Sequence, residues 1–567
     1  MERMVWNALL HRALSSSRAP DRADAWRFVV PVLLLAAFFL LAVGLQNLAG
    51  AYGVELSGYP DETGHFVTGV LVQDYITKLP PPAAVPFARE FYIHRPKVAI
   101  GHWPPVLYLI EGIWFILFHA SRHSVLELMA LISASVAASI CHVVRQRYGT
   151  PAGIASGLLF ICLSFVQTQT SEVMADMLVA LFGFWATLSF ADFLTRERAL
   201  DILRFAAFAL LAIFAKNNGL YLALIPPICL LLTREHRVLR SPLLWLGGAI
   251  VGIPSAVWVA WSHKYIANTW VETPGLSFFL RATRIDLWLL YVVLGPLLLI
   301  LAAVGAVREL IQFRAGRDFV PQALTSAVLS VLLFQSLAPA GIEPRFLLPA
   351  VAAMIPLLFS GLMWLSESVG PRVVPLTIRA GALLTIAVLI SPHKTFAIPH
   401  KPYRGFSEVA DFIQADPSLR RGATLVSSSS DGEGLLISEV VMRYPSSQGF
   451  VLRASKMLGQ EDWLGRDYIS RFRSADDVFQ YMKKMRTDLL VIDDPAGIPE
   501  PKHQELLLQM CSEHPDYWQS VGIFPTRRPP DPTGSKIFVY RRIGSSGPPG
   551  EEIHQEMEEI LRRMIGE

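Results

Sequence analysis

The stretch that decides the fold runs from residue 28 to residue 66, where the apolar segment FVVPVLLLAAFFLLAVGL (28–45) is followed by GYPDETGHF (58–66). With its flanks, the apolar segment is long enough to cross a bilayer as a helix, which takes about 20 predominantly apolar residues. GYPDETGHF then places Asp61 and Glu62 behind a Tyr-Pro turn, with His65 a helical turn further on. Ionisable groups near a membrane are costly, so this stretch indicates a functional site where the chain leaves the bilayer.

The composition of the whole chain is that of a polytopic membrane protein. Of its 567 residues, 52% are apolar and 17% are charged, and the mean hydropathy is +0.40. A net charge of +3, without a basic cluster interleaved with aromatic residues, argues against a nucleic-acid partner. The first apolar segment is too long for a signal peptide, so residues 1–27 are predicted to be a basic cytoplasmic N-terminus before a retained anchor.

About eleven membrane-spanning helices are predicted, because a segment in lipid must satisfy its own backbone hydrogen bonds. They lie near residues 28–48, 124–143, 150–168, 177–194, 202–216, 219–233, 242–262, 285–306, 319–338, 346–365 and 373–391. A further apolar segment, 104–119, is predicted to lie along the outer membrane surface. Counting it as a span would reverse the bias of basic residues toward the inner loops.

That bias sets the orientation of the chain. With 104–119 at the surface, the short inner loops carry Arg145, Arg147, Arg196, Arg198, Arg234, Arg237, Arg240, Arg308, Arg314, Arg317 and Arg372. The short outer loops carry Lys216, Lys264, Arg281, Arg284 and Arg345. The positive-inside rule then predicts a multi-pass protein of the plasma (cell inner) membrane whose C-terminus lies outside the cytoplasm.

The composition changes near residue 393, where short β-rich segments begin to alternate with amphipathic helices. ATLVSS, GFVLRA and DLLVIDD read as strands, and DGEGLLISEVVMRY, SADDVFQYMKKM and HQELLLQMCSEH read as helices. The predicted architecture is therefore an all-α membrane domain, residues 28–392 with a first outer loop at 49–123, followed by an extracytoplasmic α/β domain at 393–543. Residues 544–567 are predicted to be a linker, GSSGPPG, and a charged terminal helix.

This topology gathers the unusual polar residues on the outer side. They are Asp61, Glu62, His65, Arg95 and His102 in the first loop, Glu172 and Asp176 in the next outer loop, and Lys216, His263 and Arg345 at span ends. Each has an ordinary structural interpretation as well: Asp61 or Asp176 as a helix cap, Lys216 or Arg345 as a snorkelling anchor, and a single histidine as a packed side chain.

Their convergence on one side favours group transfer from a lipid-held phosphate. A carboxylate can deprotonate an acceptor hydroxyl or hold a divalent metal cation, and Lys, Arg or a metal can neutralise the departing phosphate. We therefore predict Asp61 and Asp176 as catalytic acids and Lys216, Arg345, Arg95 and His102 as donor-binding residues. Glu62, His65 and Glu172 are predicted to face the acceptor or to support the catalytic acids.

An ordered set of motifs carries a family resemblance over roughly residues 26–365. PDE (60–62), HWPPVLYL (102–109), ADMLVALFGFW (175–185), AKNNGLYL (215–222) and RFLLPA (345–350) resemble the polytopic glycosyltransferases of the GT-C superfold. The likeness is to the protein O-mannosyltransferases and the lipid A aminoarabinose transferase. The sequence departs from the family pattern at Trp103, which separates His102 from Pro-Pro, and at AKNNG in place of a TKG-like element.

The resemblance implies inverting transfer of one sugar from a polyprenyl-phosphate donor to an envelope acceptor, next to membrane lipid on the outer side. It implies that Asp61 corresponds to the first-loop catalytic acid, Asp176 to the second-loop Asp and Lys216 to the Lys of the TKG-like element. It also implies that His102 and His263 fall near positions that hold a metal in relatives.

Other classes of protein remain open at this point. A lipid-linked oligosaccharide ligase or polymerase would share the outer cleft and transfer a preassembled glycan. A secondary transporter predicts internal repeats and charges near the bilayer midplane, whereas here the charges sit at span ends and the sequence shows no repeat. A non-catalytic sensor would not need paired acids in the first loop.

Overall fold

The computed structural model describes residues 22–98, 101–266, 272–313, 318–339, 341–368, 375–391, 394–401, 405–444, 449–460, 468–494, 501–526, 535–544 and 551–565. Most of the predicted basic N-terminus (1–21), residues 545–550 of the predicted linker, and the inner-loop arginines Arg314, Arg317 and Arg372 lie outside these residues.

The membrane part and the first loop are helical. Their α-helices are α1 (Arg22–Leu48), α2 (Glu62–Thr77), α3 (Ala84–His94), α4 (Val106–Phe118), α5 (Arg122–Tyr148), α6 (Thr150–Cys162), α7 (Ser164–Thr170), α8 (Asp176–Arg196), α9 (Ala199–Ala215), α10 (Ile225–Thr233), α11 (Pro242–Ile266), α12 (Leu276–Leu294), α13 (Pro296–Ile311), α14 (Val320–Leu337), α15 (Leu348–Ser368) and α16 (Leu376–Ile390). Short 3₁₀ helices occupy Asn217–Leu224, His236–Arg240 and Pro344–Leu347.

Among the described residues, six helices are long and apolar enough to cross a membrane, or up to eight if each of two bent helix pairs counts as one span. The structure therefore does not confirm the predicted count of about eleven. At the predicted spans 202–216, 219–233 and 373–391 the helices are shorter than the ~20 residues that usually cross a bilayer: α9 has 17 residues, α10 has nine after a 3₁₀ helix, and α16 has 15.

The predicted span at 285–306 is not a single helix. It is divided between α12 and α13, which are bent by 111° at Gly295. Gly295 has φ of +75°, and Pro296 lacks the N–H that a continuing helix needs. The Gly-Pro pair was visible in the sequence, and it ends the first helix where hydropathy alone predicted continuity.

Segment 104–119 forms the 13-residue helix α4. At 1.5 Å per residue it extends about 20 Å, which is short of the ~30 Å hydrocarbon core. Its length fits the predicted position along the membrane surface.

Helix α15 is the central helix of the membrane part. In the most apolar stretch of Pro344–Ser368, 94% of the residues are buried inside the protein. Its Gly361 lies backbone to backbone against Gly305 of α13, where neither position has room for a Cβ atom. This close crossing holds α15 and the 3₁₀ turn Pro344–Leu347 that precedes it, and that turn carries Arg345.

The C-terminal part is an α/β domain, as predicted. Its helices are α17 (Phe406–Ala415), α18 (Pro417–Arg421), α19 (Ser430–Arg443), α20 (Ala454–Met457), α21 (Ala475–Lys484) and α22 (Lys502–Glu513), and its strands are β1 (Ala423–Ser427), β2 (Phe450–Arg453), β3 (Gly459–Gln460), β4 (Ile469–Ser470), β5 (Leu489–Asp494), β6 (Trp518–Pro525) and β7 (Lys536–Arg542). The main sheet has the order β2-β1-β5-β7-β6, with β1 parallel to β2 and β5, and β7 antiparallel to β5 and β6.

The first outer loop joins this domain to the membrane helices. Phe66, Val67 and Val70 of α2 share one buried cluster with Leu435 and Val440 of α19. The charged terminal helix, α23 (Glu551–Ile565), also packs back. Its four buried apolar residues join Tyr92 and Ile93 of α3 in a second cluster with the sheet; they are Ile553, Met557, Ile560 and Leu561.

Candidate active site

Asp61 lies directly before α2 and pairs with Arg345, almost three hundred positions further along the chain. Asp61 is the N-cap residue by position, but its side chain makes no capping hydrogen bond. Its Oδ2 accepts from Nη1 and Nη2 of Arg345, each at 3.3 Å. Both distances exceed the ~2.7–2.9 Å of a strong charge-assisted hydrogen bond. Capping therefore does not account for Asp61, and the Asp61–Arg345 pair is loose.

Arg345 is held in place by groups other than Asp61. Its Nε lies 2.7 Å from Oε2 of Glu343, and its guanidinium stacks 3.9 Å from the ring centre of Tyr59. The Tyr59 hydroxyl donates to Oε1 of Glu343 at 2.8 Å. Burial raises the pKa of the Tyr59 phenol, so it remains a neutral donor. Arg345 thus stays oriented if Asp61 releases it.

Asp176 and Lys216 form a second acid–cation pair. Asp176 opens α8 and is fully buried, and its Oδ2 accepts from Nζ of Lys216 at 2.7 Å. The ring of Phe346 lies 4.9 Å from the Lys216 ammonium and 5.2 Å from the Arg345 guanidinium. The two cations therefore share one aromatic ring, which brings the two pairs into a single site.

The AKNNG element positions Lys216 by breaking a helix. Lys216 is extended, with φ of −160° and ψ of 142°, after α9 and before the 3₁₀ helix Asn217–Leu224. Gly219 packs onto the backbone of α9, where a Cβ atom would lie 2.7 Å from Ala212. The break therefore needs a glycine at 219.

Glu62 points into the protein rather than along its helix. It is completely buried, and its Oε1 accepts from the backbone N–H groups of Gly58 at 2.7 Å and Tyr59 at 3.1 Å. Its Oε2 accepts from the N–H of Val173 at 3.0 Å and from Nζ of Lys401 at 2.8 Å. Glu62 thereby ties the loop that carries Asp61 to the next outer loop.

Glu172 is a second buried acid beside Glu62. Its Oε2 accepts from Nε2 of Gln169 at 3.1 Å. Gly58 separates the two acids, because a Cβ atom there would lie 2.8 Å from Oε1 of Glu62 and 2.9 Å from Oε1 of Glu172. Burial, and then the negative charge of Glu62, raise the pKa of Glu172 to about 8. Glu172 is therefore protonated at neutral pH.

This shift predicts a pH dependence of stability. Between about pH 4.5 and pH 8 the folded protein keeps the Glu172 proton that the unfolded chain has released. Stability should therefore fall as the pH rises through this interval. Glu172→Gln should flatten the fall and raise the apparent unfolding temperature near pH 8, as measured in detergent. The exposed Glu367→Gln is the control, and equal pH slopes in wild type and Glu172→Gln would contradict the assignment.

His65 lies on the same side as the two cations. Burial, followed by the charges of Lys216 and Arg345, lowers its pKa well below the usual value, so the ring is neutral. Its Nδ1 lies 2.8 Å from the hydroxyl of Tyr108, and its ring lies against that of Trp103 in a tilted arrangement, with the ring centres 4.2 Å apart. The Trp that interrupts the expected His-Pro-Pro order therefore forms a wall of the site. His102, half-buried, meets Trp103 in an edge-on arrangement with the ring centres 5.3 Å apart.

Two predicted residues are not brought into this cluster. Arg95 is buried, but its Nη1 donates to the carbonyls of His94 at 3.0 Å and Gly449 at 2.7 Å, at the junction of α3 with the C-terminal domain. His263 is exposed near the end of α11, and no described contact joins it to the other candidates.

The donor set does not favour a metal. Among the described residues, no group of three or more His, Cys, Asp or Glu side chains is placed to hold an ion. The two candidate acids, Asp61 and Asp176, already have cationic partners. A divalent cation would have to displace Arg345 or Lys216.

Sequence reasoning missed several members of the site: Tyr59, Tyr108, Glu343, Phe346 and Lys401. Three of them stand beside predicted site residues in GYPDE and EPRF: Tyr59, Glu343 and Phe346. No sequence pattern distinguishes them from ordinary aromatic or acidic residues. Lys401 and Tyr108 reach the site only through the tertiary fold.

The fold has known relatives. The archaeal oligosaccharyltransferase AglB from Archaeoglobus fulgidus, in complex with an inhibitory peptide and a dolichol-phosphate, matches with a TM-score of 0.52 at 12% identity, over 94% of this chain and 78% of that one. ArnT from Cupriavidus metallidurans in the apo state matches with a TM-score of 0.52 at 13% identity, over 91% of this chain and 98% of that one. No curated protein sequence matches the chain significantly.

The chain has the fold of the GT-C glycosyltransferases, which confirms the predicted resemblance and fold class. Within that class, residues 102–261 match the family model described as dolichyl-phosphate-mannose-protein mannosyltransferase. The matched region contains Asp176 and Lys216. The fold, the match and the apolar helices support a multi-pass membrane glycosyltransferase.

Proposed function

We propose that the protein transfers a single sugar from a polyprenyl-phosphate donor to a hydroxyl of an envelope acceptor, with inversion, on the outer side of the membrane. The observation that carries the proposal is the pair of acid–cation contacts, Asp61–Arg345 and Asp176–Lys216, whose two cations both contact the ring of Phe346. The fold shared with AglB, whose structure includes a dolichol-phosphate, supports a lipid-phosphate donor.

The two pairs divide the chemistry between them. Asp61 takes the proton of the acceptor hydroxyl while the hydroxyl oxygen of the acceptor attacks the anomeric carbon of the sugar. The bond between that carbon and the phosphate oxygen breaks on the opposite face, and the polyprenyl phosphate leaves with the electron pair. Arg345 and Lys216 neutralise its charge, and the phosphate draws Arg345 away from Asp61. Asp176 keeps Lys216 oriented toward the phosphate.

A preassembled-glycan transferase is the nearest other function, because the likeness to the oligosaccharyltransferase AglB equals that to ArnT in TM-score. The experiment gives the purified protein radiolabelled polyprenyl-phosphate monosaccharide or polyprenyl-linked oligosaccharide, and measures label in an envelope acceptor fraction. We expect transfer of the monosaccharide. Transfer of the oligosaccharide alone would replace the proposal, and uptake of free substrate into sealed vesicles without transfer would indicate a transporter.

The orientation gives a separate prediction. Because Arg and Lys favour the inner loops, the C-terminal domain and the site should both face away from the cytoplasm. A reporter that fluoresces only in the cytoplasm, fused after residue 567, should remain dark. The same reporter fused in the loop near Arg198 is the positive control. A bright C-terminal fusion would place the candidate site on the cytoplasmic side.

A further inference from the structure

Lys401 is a buried cation that sequence reasoning did not select. It lies in the segment 394–401, which connects the last membrane helix to the C-terminal domain. Its Nζ lies 2.8 Å from Oε2 of Glu62, and the two side chains are 5% and 0% exposed. A buried charge with a single charged partner depends on that partner. The pair therefore couples the start of the C-terminal domain to the residue next to Asp61.

Within the described residues, Glu62 also accepts hydrogen bonds from the backbone N–H groups of Gly58, Tyr59 and Val173. Lys401 is therefore the group that balances its charge. The protonated Glu172 lies beside Glu62, and the charge of Lys401 opposes the rise in the pKa of Glu172. Lys401 thus interacts electrostatically with both Glu62 and Glu172, the two buried acids next to the loop that carries Asp61.

The same junction is fixed at two more points. The backbone N–H of Ser407 donates to Oε1 of Glu55 at 3.1 Å. Glu55 lies just before the loop that carries Asp61. Arg122, at the start of α5, pairs with Glu439 of α19 at 2.7 Å. The C-terminal domain is therefore joined to the first loop on both sides of Asp61 along the chain, and Lys401 contacts the residue that directly follows Asp61.

We propose that Lys401 is a positioning residue for the reaction: docking of the C-terminal domain inserts it against Glu62, and this sets the position of Asp61. The inference rests on the proposed function, because it assigns Lys401 a role in the same transfer. It gives the C-terminal domain a part in catalysis that does not require contact with the sugar.

The test compares Lys401→Met with Lys401→Arg and with Lys394→Met, which removes an exposed lysine from the same segment. Misplacing a catalytic group by ~1 Å costs up to about 10²-fold in rate, so we expect Lys401→Met to lower kcat by about 10- to 100-fold. The KM for the donor should change little, because Lys216 and Arg345 are intact. Lys401→Arg should retain most activity, and Lys394→Met all of it.

Two further readouts separate positioning from a general structural role. Without the positive charge of Lys401, Glu172 should hold its proton to higher pH, so the pH profile of kcat should move upward in Lys401→Met and stay in place in Lys401→Arg. Glu62→Gln combined with Lys401→Met removes both charges, and it should lose no more activity than the more damaged of the two single variants. This double variant also provides the test if Lys401→Met alone fails to fold.

Asp61→Asn and wild type are assayed alongside. An inactive Asp61→Asn together with an unaltered kcat and pH profile in Lys401→Met would overturn the role of Lys401 and leave the proposed function standing. Additive losses in the double variant would also overturn it. Absence of transfer by folded wild type would overturn the proposed function itself.

Discussion

Asp61→Asn should lose at least roughly a hundredfold in kcat while folding and inserting normally, since proton transfer by a placed carboxylate contributes a factor of about 10² to 10⁴. The substitution keeps the size of the side chain and one oxygen that can accept from Arg345. Because the Asp61 side chain makes no capping hydrogen bond, no helix cap is lost. Only the basicity and the charge are removed.

The matched control is Asp74→Asn, which removes a half-buried carboxylate from the far end of the same helix, α2. It should leave kcat unchanged. A chelator added to the wild type should not slow transfer, because Asp61 and Asp176 are already paired with Arg345 and Lys216. Near wild-type transfer by Asp61→Asn would remove the general base from the mechanism.

Arg345→Met should have the next largest effect, and it should act on the donor. Hydrogen bonds to charged groups contribute about 1.5–3 kcal/mol, and 1.36 kcal/mol is a factor of ten. We therefore expect kcat/KM for the donor to fall by about 10- to 150-fold. Lys216→Met should act in the same direction, since its ammonium lies over the same Phe346 ring.

Arg345→Lys separates charge from geometry, because lysine keeps the charge but lacks the planar fork that binds an anion bidentately. The kcat/KM of Arg345→Lys for the donor should lie between those of wild type and Arg345→Met. Arg281→Met removes an exposed arginine near the start of α12 and is the control. Unchanged donor kinetics in both Arg345→Met and Lys216→Met would return these residues to the role of membrane-surface anchors.

The membrane character, the C-terminal α/β domain and the main acids and cations of the site were all accessible from the sequence. Each of these rests on local signals: apolar length, strand and helix periodicity, and ionisable residues at span ends. Asp61, Asp176, Lys216 and Arg345 stand out because a charge next to an apolar run is costly, and the structure brings these four together.

The features that were missed depend on tertiary contacts. Arg95 was predicted as a donor-binding residue together with Arg345, yet its guanidinium donates a hydrogen bond to a carbonyl of the C-terminal domain. Glu62 was selected from the sequence without its partner Lys401, against which it is buried and which lies more than three hundred residues away in the chain. Pairings of this kind leave no periodic trace in the sequence.

The most direct measurement of the central claim is the equilibrium binding of polyprenyl phosphate, the released product, to the purified protein. We assign anion binding to Arg345 and Lys216 and proton transfer to Asp61. Asp61→Asn should therefore bind the phosphate at least as tightly as wild type, because it removes an acid that competes for Arg345. The Lys216→Met/Arg345→Met double variant should bind much more weakly. Equal affinity in all three proteins would show that these two pairs do not form a donor site.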